Sequence, residues 1–183
     1  MHISRRLLLA GLNGFAVTAM LPGAAGASNT LVAGFPPEPW FAATTFDLNA
    51  DLAQAKAEGK FLALLWEQTG CHYCAELHRV NFREPEIVAL GGQHLRTIQM
   101  DLWGKRKFVD FDGETRPEAE IALQRFVRAT PVMLFIDADG TEVFRMPGYA
   151  PPPLFMAVYQ YVIEGGYKDA SLRQWLDSRP AKD

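Results

Sequence analysis

The two cysteines of the chain, Cys71 and Cys74, are separated only by His72 and Tyr73, and no other cysteine occurs among the 183 residues. A two-residue spacer lets one thiolate attack a disulfide in a partner protein while the second thiol lies close enough to release the resulting mixed disulfide. A structural staple would normally close a longer loop, because the entropy that a disulfide removes from the unfolded chain grows with loop length. The pair therefore predicts thiol-disulfide exchange, with Cys71 as the nucleophile and Cys74 as the resolving thiol.

Metal binding is the alternative chemistry for this spacing. Zinc sites use the same C-x-x-C pattern but need two further ligands, and the sequence contains no second C-x-x-C. Covalent haem attachment would need a histidine directly after the second cysteine, where Ala75 stands. We therefore expect no metal and no cofactor. A copper(I) chaperone that uses Cys71, Cys74 and His78 stays open as a hypothesis of another class, since soft thiolates select that ion.

A buried strand followed by a helix would position the cysteines. Residues 61–66 (FLALLW) form a continuous apolar run, which predicts a central strand covered on both faces, and residues 74–82 have the apolar spacing of a helix. Cys71 would then lie at the helix N-terminus, where unpaired backbone N–H groups and the helix dipole favour its thiolate form. His72, if protonated, would favour the thiolate further.

Four residues near the pair carry secondary predictions. Glu67, polar at the end of the apolar strand, could assist proton transfer to Cys74, and a solvated carboxylate at a strand end explains it equally well. Tyr73 is expected at the rim of the site, in contact with partners, and Trp66 is expected in the core. His78 is expected to be a surface or capping histidine of the helix rather than a catalytic one.

A second signal lies about 60 residues after Cys71, where Thr130-Pro131 directly precedes the apolar residues 132–136 (VMLFI). Proline is normally excluded from strand interiors because it cannot donate a backbone hydrogen bond, so this position requires an explanation. A trans proline as the first residue of the strand is one explanation, and a contribution to the redox site is the other.

The remaining pattern predicts an α/β fold. Residues 101–117 are polar and too long for a plain turn, so we expect a surface insertion with a hairpin at Asp112-Gly113, and loops of this length are often functional. A parallel crossover followed by an antiparallel hairpin is the order of a thioredoxin fold, a central mixed sheet flanked by helices. The predicted helices are 47–58, 85–92, 118–126, 155–164 and 172–176, and the further strands are 94–100 and 141–145.

The chain begins with the features of an export signal. Arg5 and Arg6 precede an apolar stretch over residues 7–21 and a run of small residues, so residues 1–27 are expected to be a signal peptide that is cleaved near Ala27. The paired arginines are also compatible with the twin-arginine export route. A retained anchor is disfavoured, because the apolar stretch is shorter than the roughly 20 residues of a membrane span.

Export would place the protein in the periplasm, an oxidising compartment where disulfides form and persist. The mature chain would consist of an extended Pro-rich arm over residues 28–45, to which we assign no chemistry, and a thioredoxin-like domain over residues 46–183. Without the two arginines the formal charge falls from −3 to −5. Because no basic run suited to phosphate backbones remains, nucleic acid is not an expected partner.

Residues 45–166 resemble the thioredoxin superfamily, and within it most closely the SoxW-like periplasmic thioredoxins of the sulfur-oxidation (Sox) system. The matching stretches are WEQTGCHYCAELHRVNF, the VDFDGE insertion that ends in EAEIALQRF, TPVMLFIDADGTEVFRMPGY and FMAVYQYVIEGGY. The resemblance implies that Pro131 is cis and lies against the cysteine pair, which leaves the Thr130 backbone free to pair with a substrate peptide.

The resemblance also implies a thiol reductase that receives electrons from a membrane thiol transporter and passes them to periplasmic disulfides, including that of the Sox sulfur carrier. Two departures concern proton handling and redox potential. Ordinary thioredoxins have a buried aspartate six residues before the first cysteine, where this chain has Leu65, and Gly-Pro between the cysteines, where it has His72-Tyr73. A reductant for cytochrome c maturation and an isomerase-type corrector remain alternative functions.

Overall fold

The structure of the protein is a computed structural model that describes residues 30–179. The predicted signal peptide, with Arg5 and Arg6, lies outside the described residues. The elements in chain order are α1 (Leu48–Ala57), β1 (Phe61–Glu67), α2 (His72–Arg79), α3 (Pro85–His94), β2 (Leu95–Asp101), β3 (Lys107–Val109), β4 (Thr115–Pro117), α4 (Glu118–Gln124), β5 (Val132–Ile136), β6 (Glu142–Pro147), α5 (Pro152–Ile163) and α6 (Leu172–Asp177).

A four-stranded mixed sheet organises the fold. Its strand order is β2-β1-β5-β6, with β1 parallel to β2 and antiparallel to β5, and with β5 antiparallel to β6. The crossover from β1 to β2 runs through α2 and α3, which is the long connection that a parallel pair requires. The sheet and its flanking helices confirm the predicted thioredoxin fold.

The side chains of β1 alternate between two apolar layers. Leu62, Leu64 and Trp66 pack into the layer that α1 and α4 complete, whereas Ala63 and Leu65 pack into the layer that α2, α3 and α5 complete. Trp66 is fully buried, as predicted for a core residue. Because successive side chains of a strand point to opposite faces, the last residue of β1 falls on the same face as Leu65, towards α2.

The insertion after β2 forms the predicted hairpin, in which β3 pairs with β4 and Gly113 takes a positive φ of 86° at the turn. Two ion pairs hold it against the domain. Arg106 pairs with the fully buried carboxylate of Glu118, and Arg125 donates to Asp110 over 2.5 Å. The insertion is therefore a fixed part of the domain surface.

Two helix boundaries differ from the predicted ones by three residues, and the others differ by at most two. The helix after the cysteines ends at Arg79 instead of continuing to residue 82, because the buried Asn81 turns inward and donates to the carbonyl of Ala150 over 2.9 Å. The helix α5 begins at Pro152, three residues before the predicted start, since proline is tolerated in a first turn. No helix within residues 30–179 is long and apolar enough to span a membrane.

Candidate active site

Cys71 and Cys74 lie at the start of α2 and are joined by a disulfide. Cys71 caps the helix, and the backbone N–H of Cys74 donates to Cys71 Sγ over 3.1 Å. Cys71 keeps 9% of its surface exposed, whereas Cys74 is fully buried. Cys71 is therefore the sulfur that a partner can reach, and a helix N–H group is in place to stabilise its thiolate.

The loop before β5 lies against the cysteine pair. The Thr130-Pro131 peptide bond is cis, and the Thr130 carbonyl oxygen lies 3.6 Å from Cys71 Sγ. The Pro131 carbonyl accepts from the N–H of Gly148 over 2.8 Å, which ties the loop to the end of β6. Among the residues that the structure describes, none accepts a hydrogen bond from the Thr130 N–H. The expected cis proline is confirmed, while binding of a substrate peptide stays a prediction.

Exposed aromatic rings form the rim of the site. Tyr73 is 57% exposed and stacks on Tyr149, with the ring centroids 5.8 Å apart. Trp103 of the insertion is 70% exposed, and its Nε1 donates to Gln68 Oε1 over 2.8 Å. Gln68 belongs to the loop that leads into Cys71, so this hydrogen bond joins the insertion to the loop beside the cysteine pair. Tyr73 lies at the rim as predicted, and Trp103 is a rim residue that the sequence pattern did not single out.

Charged side chains are buried along the inner face of α2. His78 follows Cys74 by one helical turn and is only 7% exposed. Its ring Nδ1 lies 2.8 Å from Glu38 Oε1, and its Nε2 lies 3.0 Å from Glu67 Oε1. Gln99 Nε2 donates to the other carboxylate oxygen of Glu67 over 2.7 Å. The ring is thus held between two carboxylates from distant parts of the chain.

One of these carboxylates comes from the N-terminal arm, of which residues 30–45 are described. Glu38 is 4% exposed, and both of its oxygens accept from Arg83, over 2.6 and 2.9 Å. Phe35 of the arm stacks on the ring of His78 with the centroids 4.9 Å apart. The sequence analysis assigned no chemistry to the arm, and the structure shows that the arm contributes a carboxylate to the cluster around His78.

The surroundings of His78 raise its pKa above the ordinary value. Burial by itself lowers the pKa, because it removes water from the charged ring. The hydrogen bonds and negative charges of Glu67 and Glu38 outweigh burial. The ring is therefore favoured in its imidazolium form, in which both nitrogens donate.

The structure excludes one of the two alternatives for Glu67 and shows that the expectation for His78 was wrong. Glu67 is fully buried, which excludes a solvated carboxylate at a strand end, and His78 is buried instead of lying on the surface. The alternation of β1 could have placed Glu67 inside, since it shares a face with Ala63 and Leu65. Glu38 had no such signal, because its partner His78 lies 40 residues further along the chain.

The same geometry bears on the copper hypothesis. Both ring nitrogens of His78 are engaged by carboxylates, so binding a metal ion would require at least one of these contacts to break. Within residues 30–179, no group of three or more His, Cys, Asp or Glu side chains is arranged to hold a metal ion. The arrangement therefore favours His78 as part of an ion-paired cluster over His78 as a ligand.

The sequence of residues 48–163 matches the profile of the family described as Thioredoxin-like domain. No curated protein matches the chain by sequence. Solved structures that share the fold include a thioredoxin-fold protein from Helicobacter pylori, 21% identical over 66% of this chain and 81% of that chain, with a TM-score of 0.56. A thioredoxin from Thermus thermophilus is 21% identical over 67% of this chain and 88% of its own, with a TM-score of 0.51.

A putative disulphide-isomerase from Bacteroides thetaiotaomicron is 24% identical over 68% of this chain and 93% of its own, with a TM-score of 0.54. Identities of this size show a shared fold and leave the partner proteins undetermined. The profile match covers the sheet, the cysteine pair and the loop that carries Pro131. It ends before α6, and the arm precedes it.

Proposed function

We propose that this chain, which belongs to the family of thioredoxin-like domains, reduces disulfides of partner proteins outside the cytoplasm. The family and the C-x-x-C disulfide make it a thiol-disulfide oxidoreductase. The observation that carries the proposal is the contrast between the two sulfurs: Cys71 is reachable at the start of α2, whereas Cys74 is buried behind it. This asymmetry suits an attacking thiol and a resolving thiol.

In the first step, the Cys71 thiolate attacks one sulfur of the partner's disulfide. A bond forms between Cys71 and that sulfur, and the partner's other sulfur leaves with the electron pair and takes up a proton. The N–H of Cys74 stabilises the Cys71 thiolate before attack, over the 3.1 Å contact seen here. The carbonyl and the N–H of Thr130 would pair with the backbone of the bound segment.

In the second step, Cys74 loses its proton and attacks Cys71 Sγ. The Cys71–Cys74 bond forms as the mixed disulfide breaks, so the two electrons of the dithiol remain with the partner, whose second sulfur takes up a proton. Glu67 is the proton acceptor that we assign to Cys74. It lies two residues beyond Leu65, on the same face of β1, and so takes the place of the aspartate that ordinary thioredoxins have at the position of Leu65.

The physiological setting rests on the sequence. The export signal predicted over residues 1–27 supports a periplasmic location, where a membrane thiol transporter would supply the electrons. The resemblance to SoxW-like proteins supports the Sox sulfur carrier as one partner. The exposed rings of Tyr73 and Trp103 provide a rim on which a partner protein would be recognised.

The direction of electron flow is tested by the reduction potential of the cysteine pair. The mature protein is equilibrated against glutathione or dithiothreitol buffers, and its free thiols are counted. A value near the roughly −270 mV of thioredoxin would support a reductase, whereas a value near the roughly −120 mV of a strong oxidant would make the protein a disulfide donor and overturn the proposal.

Partners are identified by trapping. In Cys74→Ser, the Cys71 mixed disulfide cannot resolve and accumulates on the natural partner, which is then recovered from periplasmic extract of a Sox-competent bacterium and identified. The double variant Cys71→Ser/Cys74→Ser is the matched control for non-covalent capture. Recovery of the sulfur carrier would support the Sox assignment, and recovery of apocytochrome c without it would replace that assignment by cytochrome maturation.

A further inference from the structure

We propose that the N-terminal arm is a working part of the redox site, because Glu38 holds His78 as an imidazolium against Glu67, the carboxylate that serves Cys74. The inference rests on the proposed function for the role of Glu67, but the protonation of His78 can be measured independently of activity. Glu38 and His78 are positioning residues in this proposal, since they act on Cys74 through Glu67 and through the charge on His78.

The hydrogen-bond geometry favours a doubly protonated ring. A neutral imidazole has one N–H, so its other nitrogen presents a lone pair. Here both nitrogens face carboxylate oxygens, at 2.8 Å for Glu38 and 3.0 Å for Glu67. A neutral ring would therefore place a lone pair against an ionised carboxylate at one of these contacts. The imidazolium donates at both and satisfies each carboxylate.

The charges of the cluster balance when His78 is protonated. The groups that face its ring are Glu38 from the arm and Glu67 from β1, and Arg83 completes the set through Glu38. Two carboxylates are thus matched by two cations, which a buried cluster needs because an unpaired buried charge is strongly destabilising. The uncharged Gln99 satisfies the remaining oxygen of Glu67. The Arg79–Glu76 pair of α2 is exposed and pairs within itself.

The elements that carry the cluster also bring it to the resolving thiol. Cys74 and His78 are four residues apart on α2, and helix residues at that spacing lie on one face with roughly 5–6 Å between their Cβ atoms. Both residues are buried. Phe35, Phe41 and Phe82 surround the ring of His78, with centroids 4.9, 6.4 and 5.2 Å away. The arm contributes two of these rings as well as Glu38, so without it His78 would lie open to water.

The charge on His78 has a direct effect on the second step of the reaction. The proton that Cys74 releases moves to Glu67, and the imidazolium holds the Glu67 carboxylate in position through the Nε2 contact until that moment. If Glu38 is removed, one of the two carboxylates that hold the proton on His78 is lost, and the ring becomes neutral as the pH rises. Cys74 would then lose a nearby positive charge, and its ionisation would become less favourable.

The experiment compares the wild type with Glu38→Gln, which removes the charge and keeps a side chain of the same length. Asp110→Asn is the matched control, because Asp110 is a buried carboxylate of the β3–β4 hairpin that pairs with arginine and makes no contact with His78. The protonation of His78 is followed by NMR of its ring carbon and nitrogen nuclei across pH. The resolving step is followed by stopped flow, as the second equivalent of thionitrobenzoate that the reduced protein releases from Ellman's reagent.

In the wild type and in Asp110→Asn, we expect His78 to keep its proton to a pH above the ordinary histidine value of about 6.5. In Glu38→Gln, we expect the proton to be lost at a lower pH than in the wild type. The resolving step of Glu38→Gln should match the wild type at pH 5.5 and be slower by roughly tenfold at pH 8.5, a rate change that corresponds to about 1.4 kcal/mol.

Three results would overturn the proposal. The first is a wild-type His78 that loses its proton at or below about pH 6.5, which needs no variant and so decides even if Glu38→Gln fails to fold. The second is an unchanged His78 titration in Glu38→Gln. The third is a rate loss that is equal at every pH, which would make Glu38 a structural residue only. Release of a single thionitrobenzoate equivalent by the wild type would instead contradict the proposed function, while the NMR result would still decide the state of His78.

Discussion

The docking of the arm can be tested at two adjacent glycines of α3. Trp40 of the arm packs over Gly91 so closely that a Cβ there would lie 2.7 and 3.0 Å from its Cζ3 and Cη2 atoms and 3.2 Å from Cε2 of Tyr159. At Gly92 a Cβ would approach only Trp40 Cβ, at an ordinary 3.7 Å. The variants Gly91→Ala and Gly92→Ala therefore make the same chemical change in the same helix, and only the first collides with the arm.

The two substitutions are expected to have opposite effects on the free energy of unfolding. Each gains up to about 1 kcal/mol from replacing glycine by alanine within a helix. Gly91→Ala also incurs an overpacking cost of about 1–3 kcal/mol. The two rings that the new Cβ would meet have little room to move, because Tyr159 is fully buried and the ring of Trp40 packs against Phe82. The variants should thus differ by about 1–3 kcal/mol, or roughly 2–12 °C in Tm for a chain of this size.

The assay is urea and thermal unfolding of both variants in the oxidised state, combined with limited proteolysis of residues 30–45. We expect Gly92→Ala to be at least as stable as the wild type and equally resistant to cleavage in the arm. Gly91→Ala should be less stable and cleaved faster there. If Gly91→Ala is as stable and as resistant to cleavage as Gly92→Ala, the arm does not pack on α3 as described. The placement of Glu38 beside His78 would then be contradicted as well, because Glu38 belongs to the same arm.

Three further predictions concern the charged residues and the rim. Since the folded-state pKa of His78 is raised, its contribution to stability is complete below about pH 6.5 and is lost as the pH rises through the folded-state pKa. In urea unfolding, the free energy of unfolding of the wild type should therefore decrease as the pH rises through that range, and His78→Gln should lack this decrease. Trp103→Ala should change the stability by less than about 0.5 kcal/mol, because Trp103 is 70% exposed, and should slow reduction of a protein disulfide several-fold but not that of a small aromatic disulfide. Equal rates on both substrates would argue against recognition by the insertion. Glu118→Ala should lower the free energy of unfolding by about 3 kcal/mol in urea titration. This value is at the low end for breaking a buried ion pair, because Arg106 is 30% exposed. An effect below about 1 kcal/mol would contradict the pairing of Glu118 with Arg106.

Most of the fold was predictable because its signals are local. The runs FLALLW and VMLFI are apolar at every position, as strands covered on both faces must be, and both form central strands. Cys71 follows the first run after Glu67 and a short loop, and Thr130-Pro131 directly precedes the second run, so the strands bring them together at one end of the sheet. Helix ends were less well predicted where a distant contact decides them, as at Asn81, whose side chain bonds to the loop before α5.

The charged cluster was not predictable in full, because it depends on contacts between distant segments. Glu67 could have been placed by the alternation of β1, and His78 by its spacing of four from Cys74. Their partner Glu38 lies in a Pro-rich segment with no periodicity, so only the three-dimensional path of the arm shows where its carboxylate goes. The burial of His78 follows from that path, since two carboxylates and the arm's aromatic rings replace the water that the charged ring would otherwise bind.

The arm and the position of the carboxylate are linked by the physics of burial. A carboxylate at position 65 would lie in the middle of β1, covered by the core, whereas Glu67 ends the strand next to the loop that leads to Cys71. A carboxylate at a strand end is ordinarily hydrated, whereas Glu67 is fully buried. The arm covers this end of the sheet. It also supplies Glu38, whose negative charge pairs with the imidazolium of His78 and so stabilises the buried cluster. In the mechanism proposed above, the use of Glu67 in place of a residue-65 aspartate therefore depends on the arm.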